Sequence, residues 1–133
     1  MIRDPEERDP LSKLFGDFPD RLRGDRWEPA VDVFETEKSI LVRVEISGVR
    51  SEDLRVTIDR DLLRISGVRR APTGGEVRRL HQMEIAFGPF ERSIRIAIPF
   101  ERNRVAAHLE DGFLEVRVPK RLPARRRIEV ETE

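Results

Sequence analysis

No cysteine occurs anywhere in the 133 residues. Disulfides, thiolate nucleophiles and zinc sites of the cysteine type are therefore excluded. Tyrosine is absent as well and tryptophan occurs once, so stacking platforms for single-stranded nucleic acid are scarce. An excess of either charge is missing: 26 acids balance 26 bases. Nucleic-acid binding needs a basic excess on some face, and the composition offers none. Lysine is rare beside arginine, a bias that names no partner. The two histidines, His81 and His108, show neither HxH nor HExxH spacing. No run approaches the ~20 apolar residues that cross a bilayer. The opening "MIRDPEERDP" is charged and lacks the apolar stretch of a secretory signal. These absences predict a soluble cytoplasmic protein with no cofactor, no metal, no membrane-spanning segment and no nucleic-acid partner.

What is present is charge, 39% of the chain, interleaved with aliphatics at two spacings. Near the start, Asp9 is a candidate N-cap with Pro10 at the first helical position. Leu11, Leu14, Phe15 and Phe18 then lie on one face of a helix of about two turns. Gly16 and Pro19 weaken it, so its apolar face needs a partner. That partner is either this chain's own domain, or other subunits and foreign apolar surface.

From Trp27 the spacing changes to alternate residues. Ile40, Val42, Val44 and Ile46 fall on one side of an extended chain, with Leu41, Arg43, Glu45 and Ser47 on the other. Leu54, Val56 and Ile58 alternate in the same way, then Leu63 and Ile65 after the short link "DRD". Phe90, Arg92, Ile94, Ile96 and Ile98 continue the pattern up to Pro99, with Gly88-Pro89 marking a bend or bulge. Val105, Ala107 and Leu109 lead through an Asp111-Gly112 turn into Leu114, Val116 and Val118. The count is seven or eight strands in 28–119 and no convincing helix. Aliphatics on one face and charges on the other predict two antiparallel sheets stacked as a sandwich. Residues 1–27 form an arm and 120–133 an extension. The link 68–83 is too long for a tight hairpin, and "EVRRLHQ" within it is a candidate short strand.

Six stretches in this order resemble the small heat-shock proteins of bacterial type and their α-crystallin domain. "WEPAVDVFETE" is similar to the family's domain opening, and "VRVEISGVRSEDLRVTID" to its next two strands. "LLRISGVRR" looks like L-x-I-x-G-x-R, and "FGPFERSIRIAIP" like G-x-F-x-R with an apolar strand after it. "AHLEDGFLEVRVPK" matches A-x-x-x-x-G-x-L…P-K, and "IEV" at 128–130 resembles the tail motif I-x-I/V. The resemblance implies an immunoglobulin-like antiparallel β-sandwich. It implies that Ile128 and Val130 of one subunit dock into an edge groove of a neighbour. The groove candidates are Leu54, Val56 and Ile58 with Val105, Ala107 and Leu109. A sandwich strand needs an apolar face in any case, so the first three also read as plain core.

It further implies a homodimer by strand exchange through the 68–83 loop, assembling into larger homo-oligomers. Glu76, Val77, Arg78 and Leu80 are the exchanged residues, and Arg92 pairs a carboxylate across the interface, with Glu76 or Glu84 as candidates. The implied activity is ATP-independent holding of non-native client proteins, with Leu11, Leu14, Phe15 and Phe18 as client-binding residues. Two rivals stand beside it. A monomeric or dimeric CS-domain-like co-chaperone would use the same sandwich as an adaptor for one partner. An enzyme would need an acid/base couple, and the acids here alternate with arginines as cross-strand ion pairs do. "PTGGE" lacks the spacing of a phosphate loop.

Overall fold

The alternation of β-branched residues builds strands because each places its apolar side chains on one face of a pleated ribbon. The computed structural model of the chain describes residues 26–71, 76–123 and 126–133. Seven strands occur among them: β1 Val31–Glu35, β2 Ser39–Glu45, β3 Leu54–Asp59, β4 Leu62–Arg69, β5 Gly88–Arg95, β6 Ala106–Glu110 and β7 Phe113–Pro119. The only helical turns among the described residues are two short 3-10 segments, Ser51–Asp53 and Arg102–Arg104. One sheet has the order β1-β2-β7-β6 and the other β3-β4-β5, with every pairing antiparallel.

The predicted inner faces meet in one core. Val42, Val44, Ile46, Leu63, Ile65 and Phe90 are fully or almost fully buried, as are Leu114, Val116 and Val118 of the return strand. Burying each such side chain contributes about 1.5–3 kcal/mol. The outer faces carry charge, as in the Arg43–Glu115 pair at 3.2 Å between β2 and β7.

The Asp111-Gly112 hairpin forms as its dipeptide predicts, with both residues left-handed at φ 52° and 82°. That is the twist a two-residue antiparallel turn requires. Gly67 answers a different need. A Cβ there would press on the Asp53 carbonyl and come within 2.8 Å of the Phe90 ring.

Two expectations shift. The strand after Gly88 stops at Arg95, four residues before Pro99. Arg95 lies opposite Leu62, where β4 begins, so no strand remains to pair with residues further on. Ile96 and Phe100 are still buried, which is why the apolar alternation outlasts the strand. Gly88, at φ 96°, begins β5 in place of interrupting it. The candidate strand "EVRRLHQ" is not a strand within the single chain: residues 76–82 pair with no other described segment.

The two sides of the sandwich differ. On one, Trp27 bridges Phe90 on the free edge of β5, its amide donating to the Pro89 carbonyl and its carbonyl accepting from Glu91 N–H, both at 3.2 Å. Three residues later the Ala30 carbonyl accepts from Glu45 N–H at 3.0 Å, so this segment laces the two sheets together. On the other side lie β3 and β6, the outermost strands of their sheets, with no described segment across them.

Candidate functional site

β3 and β6 present the predicted groove residues at that open side. Leu54, Val56 and Ile58 alternate along β3 as half-buried side chains, and Val105 and Leu109 are half-buried on the β6 side. All five pack on the core cluster from its margin. Ala107, between Val105 and Leu109, is exposed. Leu54, Val56 and Ile58 thus pack on the core while part of each side chain stays exposed. At one end of the groove Arg102 Nη2 donates to the Arg60 carbonyl at 2.6 Å, tying the β3–β4 turn to the turn before β6.

The predicted plug is unburied. Ile128 and Val130 are 80% and 88% exposed, the most exposed large apolar side chains among the described residues. Two β-branched residues at this exposure gain nothing from the chain that carries them. The root of the extension is fixed, because Lys120 N–H donates to the Lys38 carbonyl at 2.8 Å and Arg121 N–H to the Pro99 carbonyl at 3.0 Å.

The loop residues are less gathered. Glu76, Val77 and Arg78 are exposed and Leu80 is half-buried. Arg92 reaches Glu28 of its own chain at 3.4 Å. Leu11, Leu14, Phe15 and Phe18 lie outside the described residues.

The motif quoted as G-x-R hid a residue that sequence reasoning left without a role. Arg69 is the buried charged side chain among the described residues. Its Nε donates to the Ala86 carbonyl at 2.9 Å and its Nη1 to the Ser47 carbonyl at 3.3 Å. The guanidinium stacks 4.3 Å from the Trp27 ring centroid and 5.8 Å from that of Phe87. Burial lowers the Arg69 pKa, and the Glu45 charge opposes this. Glu45 is held below the usual carboxylate range, first by the Ser47 N–H and then by its hydroxyl. Nearby, Arg70 grips the Asp53 carboxylate through two bonds of 2.8 Å and lowers its pKa. Among the described residues no group of three or more His, Cys, Asp or Glu side chains converges as a metal site would require.

The comparison with known families decides to which family the sandwich belongs. The model described as "Hsp20/alpha crystallin family" matches residues 32–131, from β1 to beyond the plug. The chain belongs to this family, that of the small heat-shock proteins. The "Probable 15 kDa heat shock protein" of Leptospira interrogans is 31% identical over 106 residues, covering 79% of each chain. "Small heat shock protein C4" of Rickettsia felis is 28% identical over 104 residues, 78% of this chain and 64% of that protein. This chain thus spans under two thirds of the Rickettsia relative. Among solved structures, a small heat-shock protein from Xylella fastidiosa superposes with a TM-score of 0.69 at 25% identity, covering 81% of this chain and all of the other. Heat shock protein 16.0 from Schizosaccharomyces pombe gives 0.67 at 27% identity, over 83% and 78%. Small heat-shock proteins are non-enzymatic chaperones of the stress response, and members of the family form homo-oligomers. No described helix is long and apolar enough to cross a membrane.

Proposed function

We propose that this small heat-shock protein is an ATP-independent holdase of the cytoplasm. It binds partly unfolded proteins and keeps them from aggregating. The observation that supports the proposal is the coexistence, in one chain, of exposed Ile128 and Val130 and of two outermost strands, β3 and β6, whose half-buried apolar residues no described segment covers.

The energetics favour a loose assembly. Burying both plug residues yields roughly 3–6 kcal/mol gross. Ordering the tail and losing association freedom consume much of it. One docked tail is weak, whereas many acting together hold an assembly that still exchanges subunits. Each opening bares the groove, and an aggregation-prone client with exposed apolar patches competes for it. Leu11, Leu14, Phe15 and Phe18 of the arm 1–27 add apolar surface to the same task, beside the domain 28–119 and the extension 120–133.

The dimer beneath this assembly forms by exchange of the 68–83 loop. Exposed Val77 and half-buried Leu80 have no strand partner among the described residues, which supports the reading. Pairing on a neighbour's sheet edge would satisfy their backbone. Arg92 would then exchange Glu28 for Glu76 or Glu84 of the other subunit.

The test is light scattering of a heat-aggregating protein with the intact chain and with Ile128→Gly/Val130→Gly, beside the molecular mass of each. The intact chain is expected to suppress scattering as an assembly, and the variant to fall to dimers. An intact chain that sediments at 15.5 kDa and leaves scattering unchanged would favour the CS-domain-like adaptor.

A further inference from the structure

A short strap and the end of a long loop meet on one buried guanidinium. The strap is the segment 26–30, which carries the chain from the arm into β1. It lies on the free edge of β5 by one bridge, two backbone bonds of 3.2 Å that join Trp27 to the Pro89 carbonyl and the Glu91 amide. Its remaining ties to β5 are the ion pair of Arg26 with Glu91 and that of Glu28 with Arg92 at 3.4 Å. Ion pairs open to water contribute little. Pro29 is fully buried and the Ala30 carbonyl accepts from Glu45, so the end next to β1 is firm. The hold at the end next to the arm therefore depends on Trp27.

Trp27 is held in turn by what lies beneath it. Its ring meets that of Phe90 at 5.1 Å between centroids and the Arg69 guanidinium at 4.3 Å. Its indole N–H donates to the Gly88 carbonyl at 3.1 Å, where the loop 76–87 enters β5. Two residues back, the Ala86 carbonyl accepts from Arg69 Nε at 2.9 Å, and Phe87 between them faces the same guanidinium at 5.8 Å. These contacts close a circuit: Trp27 to Gly88, along the chain to Ala86, across to Arg69 and back to Trp27.

We infer that this circuit is a two-state clasp, which holds or releases the strap at Trp27 and the loop end at Ala86–Gly88 together. The reason is the charge at its centre. Arg69 is 9% exposed and takes part in no ion pair among the described residues. Carbonyl acceptors and aromatic faces compensate its burial, and a buried cation that loses such a partner is costly. When Trp27 lifts, water reaches the guanidinium, and its bond to Ala86 weakens as the surroundings become more polar. When Ala86 leaves, the cation loses an acceptor and gains by opening to water on the Trp27 side. Each release lowers the cost of the other, which is positive coupling. The Ser47 carbonyl, 3.3 Å from Nη1, keeps Arg69 on the sandwich in both states.

Set on the function proposed above, and resting on it, the clasp lets the arm and the exchange loop communicate. A client that draws on the arm loosens the loop through which subunits pair. The coupling itself lies within one chain and stands without that reading.

The cysteine-free chain allows each half to be read separately in the full-length protein. A spin label at Ile85→Cys, an exposed site beside Ala86, reads the loop end. Hydrogen exchange of the Glu91 amide, which the Trp27 carbonyl protects, reads the strap. Trp27→Ala breaks the circuit from the strap side and Phe87→Ala from the loop side. In each variant both readouts are expected to rise, the label's mobile-to-immobile ratio and the Glu91 exchange rate, by at least about fivefold, the lower end of ordinary coupling between sites. Phe87→Ala should also increase quenching of Trp27 by acrylamide. The Lys120 amide, bonded to the Lys38 carbonyl, should exchange at its original rate and so report an intact sandwich. If Trp27→Ala disturbs Lys120 too, Trp27→Phe takes its place, since it keeps a ring and removes only the indole donor.

A freed label with unchanged Glu91 exchange in Phe87→Ala overturns the coupling, as does the converse in Trp27→Ala, or no change in either readout. The same responses are expected with Val77→Asp/Leu80→Asp added. Their loss there would place the coupling between subunits and overturn its assignment to one chain. Subunits that still pair with those two substitutions would overturn the exchange reading and leave the clasp intact.

Discussion

Arg69 shows how a single side chain can organise residues scattered through the sequence. Its guanidinium draws together Trp27 ahead of the first strand, the Ser47 carbonyl where β2 leaves its sheet, and Ala86 and Phe87 at the end of the long loop. A lysine at this position keeps the charge but loses the planar fork that stacks and donates in two directions. Arg69→Lys is therefore expected to destabilise the domain by about 1–3 kcal/mol, the range of a hydrogen bond from a charged donor. In a domain of this size that lowers the melting midpoint by the order of 5–15 °C. Trp27 is the single tryptophan, so its fluorescence reports the site without labelling. Calorimetry and emission spectra of Arg69→Lys and Arg69→Met check the claim. Both variants should melt earlier and shift Trp27 emission to the red, Met the more so. Unchanged emission would show that the stacking is incidental.

At the scale of elements, legibility followed periodicity. The faces of β2, β4 and β7 were readable because aliphatics recur at alternate positions, although Leu41, Val68 and Phe113 share the outer faces with charge. The Asp111-Gly112 turn was readable because two left-handed residues demand such a dipeptide. The end of β5 was not, since it depends on where β4 begins across the ladder. The partners of Arg69 were equally hidden, as they lie 17 to 42 positions away. The apolar residues of β3, β6 and the extension were visible at alternate positions, whereas their partial or full exposure shows only in the folded chain. The stretch 76–82 marks another boundary, for an alternating segment pairs as a strand with no other described residues. Val77→Asp/Leu80→Asp should therefore lower the mass in sedimentation toward 15.5 kDa while leaving the melting midpoint of the sandwich within about 2 °C. A parallel fall in both would place the loop in the subunit's own fold.

For the whole molecule, the balance of 26 acids and 26 bases conceals how charge is placed. Long-range repulsion between subunits of zero net charge is small, so the proposed assembly would rest on local contacts between weak partners. Weakness is the useful property if chaperone capacity comes from the fraction of grooves left open at any moment. Locking the tail tests that link. An extension held in the proposed groove by an oxidised cysteine pair, Thr132→Cys with Val105→Cys or with Leu109→Cys, should retain an assembled mass on dilution, yet lose most of its ability to suppress client scattering, because the groove stays filled. A reductant added to the same sample should restore suppression to the level of the cysteine-free chain within the time of subunit exchange. Full suppression by the locked assembly would instead place client binding on another surface. The arm bearing Leu11, Leu14, Phe15 and Phe18 would then be the next to remove, and the groove would serve assembly alone.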